Sequence, residues 1–203
     1  MTESEQYCLL MLLRKVKRDQ SNLHIKFKSG GQMVVLGKEG LFRQDGCNLK
    51  SLVQATPANT VVRKIAKKSP VIDGVKKRGR ELRELQWMLA YEMSGGKLLF
   101  DAKDTHVFKI DRWPNFTRLP HSDSCLRMAA FLGKRATSVA LVSKILEIPI
   151  EQVRRFYVAS REAGYTVALN EKAEVTEVGA KWINRALISS LLMKLKRVPS
   201  DVA

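Results

Sequence analysis

Reactive side chains are few and scattered. The histidines are His24, His106 and His121, and none has a Cys, His or carboxylate partner at metal-ligand spacing. The cysteines, Cys8, Cys47 and Cys125, are odd in number and form no CxxC pair, so neither a disulfide framework nor a zinc site is indicated. The chain lacks GxSxG, HExxH and the phosphate-cradling GxxxxGK[ST]. The expectation is therefore no enzyme, no metal and no cofactor. Two segments mix arginine with acid or aromatic: RQDG (Arg43 to Gly46) and DRWPNFTR (Asp111 to Arg118). Such a mixture could clasp a nucleotide-like effector. Loops of this composition are common, however, and Trp113 before Pro114 is more often a core anchor at a bend.

The charge balance says more. Thirty-six Lys and Arg against 20 Asp and Glu give a formal net charge of +16 on 203 residues. That excess favours a polyanionic partner: nucleic acid, anionic lipid or an acidic protein. It is concentrated in Arg14 to Arg18, in Arg63 to Arg83, in Lys134 and Arg135, and in Lys194, Lys196 and Arg197. The segment Arg63 to Arg83 carries nine basic residues against Asp73 and Glu81. If these clusters converge they form a phosphate-tracking surface, which gives affinity without sequence information. Lys76, Lys77, Arg78, Arg80, Lys134 and Arg135 are its candidate contacts. The apolar run CLLMLL (Cys8 to Leu13) is too short to span a bilayer. Its flanks, acidic before and basic after, reverse a signal peptide's order. A cytoplasmic protein with free thiols and no membrane partner is expected.

Around these residues the periodicity predicts the elements that hold them. Thr2 and Glu5 have capping-box spacing, and a helix is expected to run to about Arg18. LHIKFK, QMVVL and LFRQ, divided by glycine turns, read as a three-stranded meander, and TVVRKI as a fourth strand. NLKSLVQA is a short helix candidate. The basic segment 66–80, with proline, glycines and no periodicity, is expected to be a mobile loop. RELRELQWMLAYEM resumes helical spacing and stops at Gly95 and Gly96. KLLF and HVFKI are expected strands. The boundary is placed near Arg118, giving an α+β sensing or interaction domain over 1–118 and a second domain over 119–203.

The second half opens with the helix candidate SCLRMAAFLGKR. SVALVSKIL and IEQVRRFYVASREAG follow, joined by the three-residue turn EIP. Next come YTVAL, the polar turn NEKA and EVTEV, a hairpin of wing size. Three helices in this order, then a hairpin, resemble the winged helix-turn-helix superfamily over roughly 122–178. The overall class is then α+β: a small antiparallel sheet with helices, followed by a winged-helix domain and an appended C-terminal helix. In DNA-binding members of that superfamily the third helix enters the major groove and the wing touches the backbone or minor groove. The resemblance implies Ile150 to Ala163 as recognition helix and Asn170 to Lys172 as wing tip.

With Val153, Phe156 and Ser160 inward, helical geometry predicts Glu151, Arg155, Val158, Ala159 and Glu162 outward, with Arg154 and Arg161 at the flank. Arg154, Arg155, Arg161 and Lys172 are therefore the candidate DNA contacts of this module. Two carboxylates and two apolar groups on the same face are a poor match to base edges. The leading expectation is a nucleic-acid-binding regulatory protein of low sequence specificity that contacts DNA through the winged helix and the basic clusters. The alternative is a winged-helix adaptor whose third helix binds protein in a signalling or assembly complex. The stripe Ile183, Leu187, Leu191 and Leu195 could close the winged-helix core or pack against the same helix of a second chain, a homodimer through 183–198.

Overall fold

The computed structural model describes residues 8–66 and 68–170. The expected capping box at Thr2, the second wing strand, Lys172 and the helix over 183–198 lie outside the described residues. The rest is a mixed α+β fold with two small antiparallel sheets and several helices.

Helix α1 (Cys8–Asp19) buries Leu9, Leu10, Leu13 and Val16, an i, i+1, i+4, i+7 stripe. The period then changes to two. Strands β1 (Asn22–Phe27), β2 (Gln32–Leu36) and β3 (Leu41–Asp45) form the expected meander. Strand β4 (Thr60–Lys64) pairs with the free edge of β1, and a two-residue strand β5 (Arg80–Glu81) pairs with β3, so the order is β4-β1-β2-β3-β5. The register sets Leu23, Ile25, Val35, Met33 and Phe42 on one face, all buried. The short helix α2 (Leu49–Val53) carries a capping box between Asn48 and Ser51.

The segment 66–80 differs from expectation. It holds a helix, α3 (Pro70–Arg78), with proline in its first turn and Asp73 near its positive dipole end. Ile72 and Val75 are buried, and they pack on Val34 and Leu36 from the second face of the meander. Two apolar residues three apart suffice to dock one helical turn on a sheet, and are too few to show as periodicity. Gly79 follows. A Cβ there would collide with the Val75 carbonyl, whose oxygen accepts the Gly79 N–H.

Helix α4 (Leu82–Ser94) is the centre of the structure. Leu82, Leu85, Trp87, Leu89, Ala90, Tyr91 and Met93 are buried around nearly its whole circumference, as befits a helix covered on all sides. It ends at Gly95 and Gly96, whose φ values of 53° and 88° lie in the left-handed region. The strand expected at KLLF is absent. Residues 97–100 are irregular with Leu99 buried, and of the two segments only β6 (Val107–Ile110) is a strand.

Helix α5 (Asp123–Lys134), strand β7 (Thr137–Ser138), helix α6 (Val139–Leu146), helix α7 (Ile150–Ala163) and strand β8 (Thr166–Ala168) follow. Ser138 caps α6 through the Leu141 N–H, and Gly164, at φ 71°, ends α7. The second sheet has the order β7-β6-β8, so the described neighbour of β8 is β6, a strand that precedes α5 in the chain.

Helix α7 lies along α4 in the most extensive helix contact of the fold. Phe156 sits edge-on to Trp87 at 5.8 Å, and Trp87 also meets Phe116 and Tyr165 edge-on. The core therefore draws on residues from both sides of Arg118. Complete burial of aromatic side chains such as Trp87 and Phe156 stabilises the fold by about 1.5–3 kcal/mol each. No helix among the described residues is long and apolar enough to cross a membrane.

Candidate nucleic-acid interface

Of the outward face expected for α7, Glu151 is exposed and Arg155 half-buried, but Val158, Ala159 and Glu162 are turned inward. Val158, Ala159 and Glu162 are 1%, 0% and 6% exposed. The cause is simple: α7 packs on both α6 and α4, so burial extends around most of its circumference rather than along one stripe. Arg154, Arg155, Arg161 and Glu162 find partners in their own chain. Glu162 receives a two-point contact from Arg14 of α1. Arg154 donates to both oxygens of Asp104, at 2.9 and 2.6 Å. Arg161 donates to Asp101 at 2.6 Å. Arg155 donates to the Tyr91 carbonyl at 2.7 Å and to Glu92 at 3.1 Å, and stacks 3.9 Å from the centre of the Tyr91 ring. The hydrogen bonds from Arg161 and Arg154 hold the Asp101 and Asp104 carboxyls below their ordinary range. Arg154, Arg155 and Arg161 thus fasten α7 to the first half of the chain.

A different set of arginines lines an open cleft of about 360 Å³. Three segments build it. The first is the entry to α4, where the turn at Gly79 and the pairing of β5 with β3 bring in Arg80, Glu81, Arg83 and Glu84. The second is the loop after β6, with Arg112, Trp113, Asn115 and Arg118. The third is Tyr165, just past α7. The loop is pinned at both ends. The Asp111 and Arg112 N–H groups donate to the Tyr165 carbonyl, and Asn115 accepts from the Thr117 N–H and hydroxyl. Phe116 lies at right angles to Trp87, and Trp113 to Phe116. Trp113 is therefore braced by the core yet 55% exposed. Its expected role as a buried anchor is filled by Phe116.

Four arginines face two glutamates in this cleft. Glu84 is 4% exposed and takes Arg80 at 2.9 Å on one side and Arg118 at 3.5 Å on the other. A desolvated carboxylate between two guanidinium groups leaves the trio with a net positive charge. Arg83 pairs with Glu81 at 2.8 Å and stands 5.8 Å over the Tyr165 ring. Burial pushes the Tyr165 phenol up, which keeps it a neutral wall of the cleft. The Arg112 side chain makes no hydrogen bond or ion pair among the described residues. The arrangement offers positive charge, hydrogen-bond donors and an aromatic face to an anion that carries a planar group.

Of the residues singled out in sequence, Arg80 lines the cleft, and Lys76, Lys77 and Arg78 lie on the last turn of α3, which leads into it. Lys76 is paired with Glu39 at 3.4 Å; Lys77 and Arg78 are exposed. Lys134 and Arg135 are exposed at the end of α5 and do not line the cleft. RQDG stays outside it too, with Arg43 held by Asp45 at 3.4 Å. The other segment of mixed character, DRWPNFTR, supplies four of the lining residues. Arg83 closes the basic segment Arg63 to Arg83, which does not say where it folds, and Tyr165 carried no signal, because a strand start looks alike wherever it folds. Among the described residues no three His, Cys, Asp or Glu gather as cation ligands. Comparison with protein-family models, curated proteins and solved structures finds no match to this chain.

Proposed function

We propose that the chain is a nucleic-acid-binding regulatory protein whose contacts come from exposed basic groups, with low sequence specificity. The observation that carries this reading is the cleft, where four arginines outnumber two glutamates beside an exposed tryptophan. Lys77 and Arg78 extend the positive charge along the chain toward it. Phosphate contacts of this kind position a nucleic acid without reading its sequence. The run α5, β7, α6, α7 and β8 follows the order of a winged helix, and we read it as one that serves as a scaffold docked on α4. Its third helix then does not enter a groove, since Arg154, Arg155 and Arg161 are held by partners within the chain. The adaptor alternative requires the same helix face, so the burial of Val158 and Ala159 weighs against it as well.

The test is binding of random-sequence DNA, single- and double-stranded, across a salt series. Affinity should fall linearly in log–log form, and neutralising Lys76, Lys77 and Arg78 together should flatten the slope by about 0.7–0.9 per lost phosphate contact. Absence of salt-dependent binding by the wild type would refute the reading.

A further inference from the structure

The cleft is suited to one form of nucleic acid over another. A duplex keeps its base faces stacked inside and presents only edges and backbone. An unpaired nucleotide presents a planar face and a flanking phosphate together, which proteins recognise with an aromatic platform in a positive groove. Trp113 is such a platform: 55% exposed, and held by the edge-to-face series from Phe116 to Trp87. Around it stand Arg112, Arg118 and Arg80. The glutamates do not cancel this field, since Glu81 is matched by Arg83 and Glu84 by two arginines. The volume of about 360 Å³ lies near the lower end of the roughly 300–1,000 Å³ typical of small-molecule pockets. It suits a single nucleotide and is too small for a folded element.

We propose that this cleft binds an unpaired nucleotide of a single-stranded nucleic acid, its base stacked on Trp113 and its adjacent phosphates on Arg112, Arg118 and Arg80. The strand continues over the end of α3. Arg78 is two residues from Arg80, so their Cα atoms are within about 7 Å, and one strand can meet both. A free mononucleotide would leave Lys77 and Arg78 without a role, which is why a polymer is the favoured source. Glu84 is a positioning residue: it splays Arg80 and Arg118 to opposite sides of one carboxylate. The proposal rests on the nucleic-acid reading and specifies its substrate.

The experiment uses the full chain and three ligands: an oligothymidylate of about 10 nucleotides, a blunt duplex of the same length, and thymidine monophosphate. Anisotropy of the labelled DNAs and quenching of protein fluorescence are read in parallel. The single strand should bind at least about 10-fold tighter than the duplex and quench tryptophan emission, while the mononucleotide should bind far more weakly than the strand. Trp113→Ala should weaken the single strand about 10- to 100-fold, the loss of one base–aromatic stack. Trp113→Phe should recover most of the affinity and lose the quench, since it keeps a ring and removes the reporter. Unchanged thermal melting of both variants shows that folding is intact, and Arg112→Gln, at an exposed side chain with no ion pair among the described residues, repeats the test without touching the aromatic series. Equal binding of duplex and single strand, or Trp113→Ala binding like wild type, overturns the single-strand site while leaving salt-dependent nucleic-acid binding in place. Mononucleotide binding as tight as the strand's overturns the polymer assignment.

Discussion

On α7, each of the three arginines has a fixed partner: Arg154 with Asp104, Arg161 with Asp101, and Arg155 with Tyr91 and Glu92. In the cleft, four arginines share two glutamates, and Arg112 pairs with neither. The residue type is the same in both regions, and the difference lies in what the fold places opposite each guanidinium. A matched arginine contributes to the fold, because moving it exposes a paired carboxylate and forfeits charge-assisted hydrogen bonds. Arg112, unmatched at an open cleft, keeps its donors for a ligand, and Arg80 and Arg118, which share the single Glu84 carboxylate, keep part of theirs. Counting basic residues along a chain cannot separate the two.

That contrast is open to measurement, and the largest effects belong to the α7 side. Phe156 is fully buried against Trp87, so Phe156→Ala should destabilise the protein by about 3–5 kcal/mol in a denaturant titration. A change near zero would mean that α7 does not dock on α4. Arg14→Met should cost about 1–3 kcal/mol, since it leaves the buried Glu162 carboxylate without its cation. Wild-type stability in that variant would break the idea that α7's charges are structural.

Arg155→Ala separates the two regions most directly. It should cost about 1–2 kcal/mol of stability, from the lost hydrogen bonds and the ring contact, and leave DNA affinity and salt slope nearly unchanged. A selected DNA site with a sharp base preference that collapses in Arg155→Ala would return α7 to the role of a groove reader. A smaller effect should appear with pH. Asp101 and Asp104 have carboxyls held below their unfolded values, so the stability they confer is present above those values and is lost as pH falls through the folded ones. Stability should therefore decline on acidification, and Asp104→Asn should flatten the decline; an unchanged acid limb would show the Arg154 contact to be loose. Least of all, Trp113→Ala should alter stability by no more than about 0.5 kcal/mol, the range for exposed positions. A loss of several kcal/mol would make Trp113 a core residue and remove the contrast with Phe156.

Much of the local structure was legible from residue order alone. The meander follows from alternation broken by glycine turns, and helices α4 and α7 from stripes that end at Gly95 and Gly164. Helix α3 is not legible in the sequence, because Ile72 and Val75 become a hydrophobic face only when Val34 and Leu36 lie beneath them. The cleft is not legible for a related reason. DRWPNFTR showed an arginine and aromatic mixture, but whether Trp113 or Phe116 would be the buried ring depended on which one met Trp87.

By itself the sequence determined the periodicities, the turn positions and the excess of positive charge, because each of these is set by neighbours a few residues apart. Only the tertiary structure decided which arginines are spent on the fold and which stay available. A helix of period 3.6 announces one apolar stripe, and the rest of the buried surface of α7, with Val158, Ala159 and Glu162, becomes interior only because α4 and Arg14 arrive from more than 60 residues away. Charge pairing between Arg154 and Asp104, or between Glu84 and Arg118, is set by distance in space, and distance in space is what the chain's order does not encode locally.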